Sequence, residues 1–298
     1  FLSLQSFESV DLGSFETAAE VREVIEKSRG GLPINAKPIS KVTIKDHAID
    51  GNGFSLDIRE YVPDILLHSS PILYFHGGGY VLGSIETHDP WLKFFSSHMQ
   101  SNIFSLEYRL APENKFPAAV KDANQALEWI AKKNDISISS ISICGDSAGA
   151  HLAASLSMYR VMKNLELPHS QCLIYPMTDP SCTSESQQAF QMGYGLTKDA
   201  MMWFWDQLLS SKEDLSDPRF NLLRNNDIHP LPKTIIVTAG FDPLCDEGEE
   251  YARKLFEAGN DVQQIHYPHL VHGFVNMTSL KSAKNAALDI IKTYRTYF

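Results

Sequence analysis

The segment 141–150 constrains the fold of this chain more than any other stretch. It begins with β-branched residues typical of a short buried strand and continues as Gly-Asp-Ser-Ala-Gly, a G-x-S-x-G turn that leads into a helix of small residues. Such a turn is so tight that Ser147 has a strained backbone. Its neighbours two positions away must lack side chains, which explains Gly145 and Gly149. The pattern predicts an exposed hydroxyl at a helix N-terminus, where the backbone N–H of Ala148 is available to an anion.

Apolar strands alternate with segments of helical periodicity on both sides of this turn. This alternation predicts an α/β fold with a mostly parallel central sheet flanked by helices, whose ligands lie at the carboxyl ends of the strands. A turn at Asp50-Gly51-Asn52-Gly53 predicts a hairpin that starts the sheet on its antiparallel edge. The predicted strands are 41–44, 54–62, 71–75, 102–107, 141–144, 171–175, 234–238 and 262–267, and the predicted core helices lie near 120–131, 247–258 and 282–294.

Three consecutive glycines follow the strand 71–75, in His76-Gly77-Gly78-Gly79-Tyr80. Glycines at the end of a strand let the backbone approach a ligand closely and turn its N–H groups inward. A phosphate loop is disfavoured because the Gly-Lys-Ser/Thr ending is absent. Acyl transfer at a G-x-S-x-G serine needs an N–H from such a loop beside that of Ala148, and this pairing favours an oxyanion hole over a plain flexible loop.

Two segments do not follow the strand–helix alternation. Residues 1 to about 40 are polar and helix-prone, with an apolar stripe at Val21, Val24 and Ile25 that ends at Gly30-Gly31 and Pro33. The other segment, about 178–226, contains an aromatic helix. Trp203, Phe204 and Trp205 in that helix would wall an apolar pocket, or would only pack the insertion onto the core. We predict a catalytic core of residues 46–178 and 227–298, with residues 1–45 and 179–226 forming a helical cap over the active site.

A serine nucleophile needs an imidazole to take its proton and a carboxylate to orient that imidazole. In a doubly wound sheet both partners should follow later strands, in the order serine, acid, histidine. His272, beside Gly273 after the last strand, is the preferred base among eleven histidines, and His269 is its rival. Asp242, directly after a buried strand, is the preferred acid, ahead of Asp179.

Two further interpretations of these residues are weaker. The H-x-x-H-x-x-H spacing of His266, His269 and His272 suggests a metal site, but it crosses a strand end and no H-E-x-x-H motif accompanies it, so we expect no metal. Asp246 and Glu247 are placed in the first turn of a helix, where the dipole favours carboxylates.

Charge and cysteine usage limit the partners and the compartment. The net charge of −10 disfavours a nucleic-acid partner and stable association with an anionic membrane. The chain contains no apolar run of about 18 residues, and its first residues lack the basic and apolar regions of a signal peptide. Four cysteines show no disulfide-framework spacing, so we expect reduced thiols and a cytoplasmic location.

Five ordered motifs resemble the hormone-sensitive-lipase-like (bacterial type IV) branch of the α/β-hydrolase superfamily, and the resemblance covers nearly the whole chain from Pro71 onward. It implies a triad of Ser147, Asp242 and His272, with an oxyanion hole from the N–H groups of Gly78, Gly79 and Ala148. It also implies an α/β-hydrolase fold with a two-part cap, no cofactor, and hydrolysis of short- to medium-chain carboxylic esters. Ala150-His151 departs from the Gly-Asn that the family often has. The motifs are 76–79, 108–113, 145–149, 242–248 and 272–274.

The expected substrate is therefore a small-molecule ester. An amidase or a lactonase is the nearer alternative because the same triad serves those bonds. A non-catalytic ligand receptor on this scaffold is disfavoured, since the plant gibberellin receptors that resemble the family lack the histidine that is present here as His272. The sequence leaves open whether the chain is a monomer or a homodimer.

Overall fold

A computed structural model describes residues 17–28, 35–50, 53–224, 228 and 230–298. The predicted helix stop at Gly30-Gly31 and Pro33, and the centre of the predicted turn at Gly51-Asn52, lie outside this range. The described chain contains eight strands that form one sheet. They are β1 (Val42–Asp50), β2 (Ser55–Pro63), β3 (His68–Phe75), β4 (Ser101–Leu106), β5 (Ser142–Asp146), β6 (Ser170–Ile174), β7 (Lys233–Phe241) and β8 (Val262–Val271).

The strand order is β1-β2-β4-β3-β5-β6-β7-β8. β2 pairs antiparallel with both β1 and β4, and every other pair is parallel. The predicted antiparallel edge and parallel centre are both confirmed. β5 lies inside the sheet and all five of its residues are buried, which is typical of a strand covered by helices on both faces.

Helices cover both faces of the sheet. On one face lie α3 (Ala118–Asn134), α4 (Ala148–Met162) and α7 (Cys245–Glu257), which share one buried apolar cluster. On the other lie α2 (Ile85–Met99) and α8 (Lys281–Arg295), which share a second cluster. The doubly wound α/β prediction is thus confirmed.

Helix α2 was not among the helices predicted from the sequence. Its N-terminus is marked by a capping box, in which Ser84 accepts a hydrogen bond from the backbone of Thr87 and the Thr87 side chain accepts one from the backbone of Ser84. Pro90 is the sixth residue of the helix, and because proline has no N–H it cannot donate a hydrogen bond to the carbonyl of Glu86. The helix buries Trp91 and Phe95 against the sheet.

The remaining helices are α1 (Ala18–Ser28) in the N-terminal segment, and α5 (Glu185–Ala189) and α6 (Lys198–Leu208) in the insertion. Val21 of α1 is buried, but Val24 is 37% exposed, so Val24 of the predicted apolar stripe does not pack into the core. The side chain of Ile25 lies outside the described part of the chain. Arg22 fixes α1 to the core. Its guanidinium donates to the carbonyls of Val81 and Ala111, and pairs with Glu113.

Several strands differ in length from the prediction, and two of the differences bear on the predicted cap and site. β1 ends at Asp50 rather than at residue 44 and pairs with β2 along its whole length, so residue 45, the last of the N-terminal segment predicted to join the cap, lies inside a strand. β8 continues to Val271, and therefore His269 lies within the strand rather than after its end. His272 is the residue that directly follows β8.

None of the helices in the described ranges combines the length and apolar character needed to cross a bilayer.

Candidate active site

The turn between β5 and α4 holds Ser147 at a positive φ of 55° with ψ −119°, a backbone conformation that residues with a side chain rarely adopt. Both glycines of the turn are sterically required. A Cβ on Gly145 would lie 2.3 Å from the carbonyl of Gly149, and a Cβ on Gly149 would lie 1.9 Å from the carbonyl oxygen of Phe75. The strained serine and the need for glycine on each side, both predicted from the sequence, are confirmed.

The structure brings Ser147, His272 and Asp242 into one hydrogen-bonded chain. The Ser147 hydroxyl lies 3.0 Å from Nε2 of His272, and Nδ1 of the same ring lies 2.8 Å from Oδ2 of Asp242. A carboxylate only accepts, so Nδ1 carries the proton and Nε2 is left to accept from the serine hydroxyl. Asp242 is fully buried, and the backbone N–H of Leu244 donates to its Oδ1 at 2.9 Å. The imidazole is thereby held in one tautomer and one orientation.

The rival acid and the rival base lie elsewhere. The Asp179 carboxylate accepts from the backbone and hydroxyl of Ser181 and faces Arg224 at 3.6 Å. His269 is exposed on β8. His266 pairs with Glu249, so the three histidines of the H-x-x-H-x-x-H pattern do not converge.

The glycine loop lies beside the serine turn in a tight backbone arrangement. Gly78 has φ 125° and Gly79 has φ 63°, and the carbonyl of Gly78 accepts from the backbone N–H groups of Val81 and Leu82. Within the part of the chain that the structure describes, no protein acceptor pairs with the backbone N–H groups of Gly78, Gly79 or Ala148. These donors are available to an oxyanion.

Asp146 links the glycine loop to the serine turn, a role that was not predicted from the sequence. Its Oδ1 accepts from the backbone N–H of Gly77 at 3.0 Å and from the Tyr74 hydroxyl at 2.7 Å, and it lies 3.3 Å from Nε2 of His88. Burial raises the pKa of this carboxyl, but His88 and the Tyr74 hydroxyl outweigh burial, so its pKa lies below the ordinary value. The carboxylate therefore stays charged and fixes the start of the loop next to Ser147.

His88 was missed because the helix that carries it was not predicted. Its ring lies beside Asp146 and within hydrogen-bonding distance of Thr87, near the N-terminus of α2. The capping residues Ser84 and Thr87 were the sequence pattern that could have located this helix.

Of the three aromatic residues of the insertion that were predicted to line a pocket, Phe204 approaches the site. A Cβ on Gly79 would lie only 2.2 Å from Cγ of Phe204, so the ring packs directly on the glycine loop. Trp205 packs against His151 and Phe220, and Trp203 is half-buried beside Phe204.

His151 connects helix α4 to both the glycine loop and the insertion. Its Nδ1 lies 2.7 Å from the Tyr80 hydroxyl and its Nε2 lies 2.9 Å from the carbonyl oxygen of Phe220. The carbonyl can only accept, so Nε2 donates and Nδ1 accepts from Tyr80. Burial lowers the pKa of His151 to about 4, and the ring is neutral at physiological pH.

The comparisons with known proteins agree with this geometry. Residues 72–276 match a family described as the alpha/beta hydrolase fold. The chain therefore belongs to this family, within its hormone-sensitive-lipase-like branch of carboxylesterases, as the five motifs indicated. The predicted fold class is confirmed by the same match.

Its relatives share an enzymatic class. An ethyl acetate hydrolase of Pseudomonas putida is 35% identical over 80% of this chain and 78% of its own length. A carboxylic ester hydrolase of Mycobacterium tuberculosis is 32% identical over 97% of this chain and 78% of its own. Among solved structures, the esterase of the archaeon Pyrobaculum calidifontis superposes with a TM-score of 0.86 at 34% identity, covering 98% of this chain and 96% of that one. The predicted enzyme class, a carboxylic ester hydrolase, is confirmed at this level.

Proposed function

We propose that Ser147, His272 and Asp242 hydrolyse small carboxylic esters through an acyl-enzyme, with the N–H groups of Gly78, Gly79 and Ala148 as the oxyanion hole. The observation that carries this proposal is the unbroken chain of hydrogen bonds from the serine hydroxyl through His272 to the buried Asp242.

In acylation, Ser147 Oγ attacks the ester carbonyl carbon while Nε2 of His272 takes the hydroxyl proton. The negative charge of Asp242 stabilises the resulting imidazolium and keeps its Nδ1–H in place. The carbonyl oxygen becomes an oxyanion, and preorganised backbone N–H groups stabilise it without reorganisation. The tetrahedral intermediate then collapses, and His272 gives its proton to the departing alcohol.

Deacylation repeats these steps with water. His272 removes a proton from the water that attacks the acyl carbon, and the second tetrahedral intermediate releases the carboxylic acid and restores the Ser147 hydroxyl. In each step the protons are exchanged only among the three residues, the ester and water. The proposed reaction therefore requires no cofactor.

The cap supports a preference for short to medium acyl chains. Phe204 packs on Gly79, so one wall beside the oxyanion hole is an aromatic ring rather than open space. A wall at this position limits the volume next to the carbonyl carbon. The relative from Pseudomonas putida is an ethyl acetate hydrolase, and ethyl acetate is a small ester, which supports the same preference.

The test is the hydrolysis of p-nitrophenyl acetate, butyrate, octanoate and palmitate by the wild type and by Ser147→Ala. We expect kcat/KM to peak at a short or medium chain and to fall at least about 10⁴-fold in Ser147→Ala. Ser139→Ala is the matched control, since Ser139 is exposed and bonds Glu166 on the surface. Near-wild-type activity in a folded Ser147→Ala variant would contradict the mechanism.

Anilide and lactone substrates, run beside the esters, distinguish the neighbouring reactions of the same triad. A kcat/KM for an anilide or a lactone above that for every ester would replace the esterase proposal with an amidase or a lactonase. No turnover of any of these compounds by folded wild-type protein would favour a ligand receptor.

We also propose a small-molecule substrate, no nucleic-acid partner and no stable membrane association, because the net charge of −10 opposes binding to anionic surfaces. Cosedimentation with anionic vesicles checks this, and we expect the protein in the supernatant.

A cytoplasmic location is supported by the four cysteines, which are all buried and unpaired. Titration of denatured protein with a thiol reagent, without prior reduction, should detect all four thiols.

A further inference from the structure

A second group of chemically active side chains lies one helical turn beyond Asp242. Cys245 is the first residue of α7, Glu249 follows four residues later on the same face, and His266 lies opposite them on β8. Oε1 of Glu249 lies 3.8 Å from Sγ of Cys245 and 3.0 Å from Nδ1 of His266. One ligand atom from each residue lies within 4.8 Å of the other two, and within the described ranges this is the one such group of three.

We propose that Cys245, Glu249 and His266 bind a single zinc-type divalent cation, with water in the fourth position, although the histidine spacing in the sequence led us to expect no metal. Thiolate, imidazole and carboxylate are the three ligand types that Zn²⁺ prefers. With Zn–ligand bonds of about 2.0 to 2.3 Å, tetrahedral edges are about 3.4 Å between nitrogen and oxygen and about 3.6 Å between sulfur and oxygen. The observed separations of 3.0 and 3.8 Å differ from these edges by a few tenths of an ångström. The third pair, the sulfur and the imidazole nitrogen, lies within 4.8 Å, against a tetrahedral edge of about 3.6 Å, so side-chain rotation closes the site around the ion.

The position of the group suits an ion that enters from solvent. Cys245 is 8% exposed, which anchors the sulfur, whereas the side chains of His266 and Glu249 are 35% and 41% exposed. Register pairing of Thr238 with His266 holds the imidazole beside α7, and the Thr238 hydroxyl lies 2.9 Å from Nδ1. When the ion binds, the Cys245 thiol loses its proton to solvent and its sulfur bonds the metal. Nδ1 of His266 gives up its hydrogen bonds and binds the metal, and the proton of the neutral ring is then on Nε2.

This site is separate from the proposed catalytic triad, although the two are neighbours. The N–H of Cys245 donates to the backbone carbonyl of Asp242 at 3.1 Å, but the Cys245 side chain points to Glu249. Binding can therefore be measured directly, without relying on esterase activity.

The experiment is a titration of the full chain with Zn²⁺ by calorimetry, and with Cd²⁺ by the ultraviolet thiolate-to-metal absorption. We compare the wild type with Cys245→Ser, Glu249→Gln and His266→Ala. The matched controls are Cys182→Ser, another buried free cysteine, and His269→Ala, an exposed histidine on the same strand. Circular dichroism verifies that each variant is folded.

We expect one ion per chain in the wild type and in both controls, and at least about tenfold weaker binding in each ligand variant. The thiolate absorption should vanish in Cys245→Ser alone. Because His266 and Glu249 are partly exposed, their variants test the site even where Cys245→Ser fails to fold. Absence of stoichiometric binding, or binding of equal affinity in His266→Ala and the wild type, would overturn the proposal.

Discussion

The Phe204 ring of helix α6 packs onto Gly79 so closely that a methyl group at Gly79 would lie 2.2 Å from its Cγ. The contact joins an aromatic residue of the insertion to a proposed oxyanion donor. Helix α6 therefore packs directly on the glycine loop.

Gly79→Ala should lower kcat/KM for p-nitrophenyl butyrate by up to about 100-fold, as expected when an oxyanion donor is displaced. The left-handed φ of 63° adds strain to the same change. Gly79→Ala/Phe204→Ala should recover part of the loss, because shortening Phe204 removes the steric obstacle and leaves only the backbone strain.

Gly78→Ala is the control for that rescue. A Cβ on Gly78 would lie 2.2 Å from the backbone carbonyl oxygen of Leu82, which no side-chain truncation removes. We expect Gly78→Ala to stay inactive in the presence of Phe204→Ala. Wild-type kcat/KM in Gly79→Ala alone would show that Phe204 does not restrict the loop.

Asp242→Asn should reduce kcat by roughly 10⁴-fold, because an amide can donate to His272 Nδ1 and stabilise the wrong tautomer. Its Oδ1 can still accept from Leu244, so the thermal midpoint should change little. Steady-state kinetics and a thermal melt measure both quantities. Asp179→Asn is the matched control, and we expect near-wild-type kcat because Asp179 bonds Ser181 rather than His272. The opposite ranking of the two variants would assign the acid to Asp179.

Glu247 should make the protein less stable as pH rises. Burial raises the pKa of this carboxyl from 4.5 to about 8, although the backbone N–H groups of Thr178 and Asp179 and the Gln187 amide oppose the shift. The folded state therefore holds a proton between about pH 4.5 and 8 that the unfolded state has lost, so the free energy of unfolding falls across this window.

Glu247→Gln removes the titrating group and keeps an oxygen that accepts from Thr178. In urea unfolding between pH 5 and 8.5, we expect the wild type to lose stability relative to the variant, by a total on the order of a few kcal/mol. If the free energies of unfolding of the wild type and of Glu247→Gln changed by the same amount between pH 5 and 8.5, a raised pKa at Glu247 would be ruled out.

His151 should have the opposite dependence. Its folded pKa of about 4 lies below the ordinary value of 6.5, so the unfolded state binds the extra proton between these values and stability falls as pH drops from 6.5 to 4. The titration of Glu247 has the opposite effect, because it raises the free energy of unfolding as pH drops from about 8 to 4.5. The contribution of His151 is therefore obtained by comparing a variant of this residue alone with the wild type.

His151→Asn should lower stability at pH 7, because the hydrogen bonds to Tyr80 and Phe220 change, and it should reduce the loss on acidification. Urea unfolding at several pH values measures both effects. His269→Asn is the exposed control and should leave the pH profile unchanged. An unaltered profile in His151→Asn would show that His151 does not titrate in this window.

Much of the proposed site could be predicted because its chemistry constrains the local sequence. The serine turn needs Gly145 and Gly149 whatever surrounds it, since each Cβ would strike backbone. Strand and helix periodicity likewise predicted the central sheet and the helices on both faces, because burial on each face imposes a repeat on the chain.

The partners of Ser147 required the tertiary structure. His272 is 125 residues from Ser147 and 30 from Asp242, and no local pattern excludes His269 or Asp179. The strand ending at Val271 decides which histidine leaves the sheet edge beside the serine.

The contacts of Asp146 with His88, of Gly79 with Phe204, and of Glu249 with His266 were determined by tertiary packing alone. Each joins two different elements, and none is required by the conformation of its own segment. The sequence by itself determined the turns, the periodicities and the type of chemistry, because these depend on neighbouring residues. Only the folded sheet decided which side chains meet at its edge, because that depends on strand order and register.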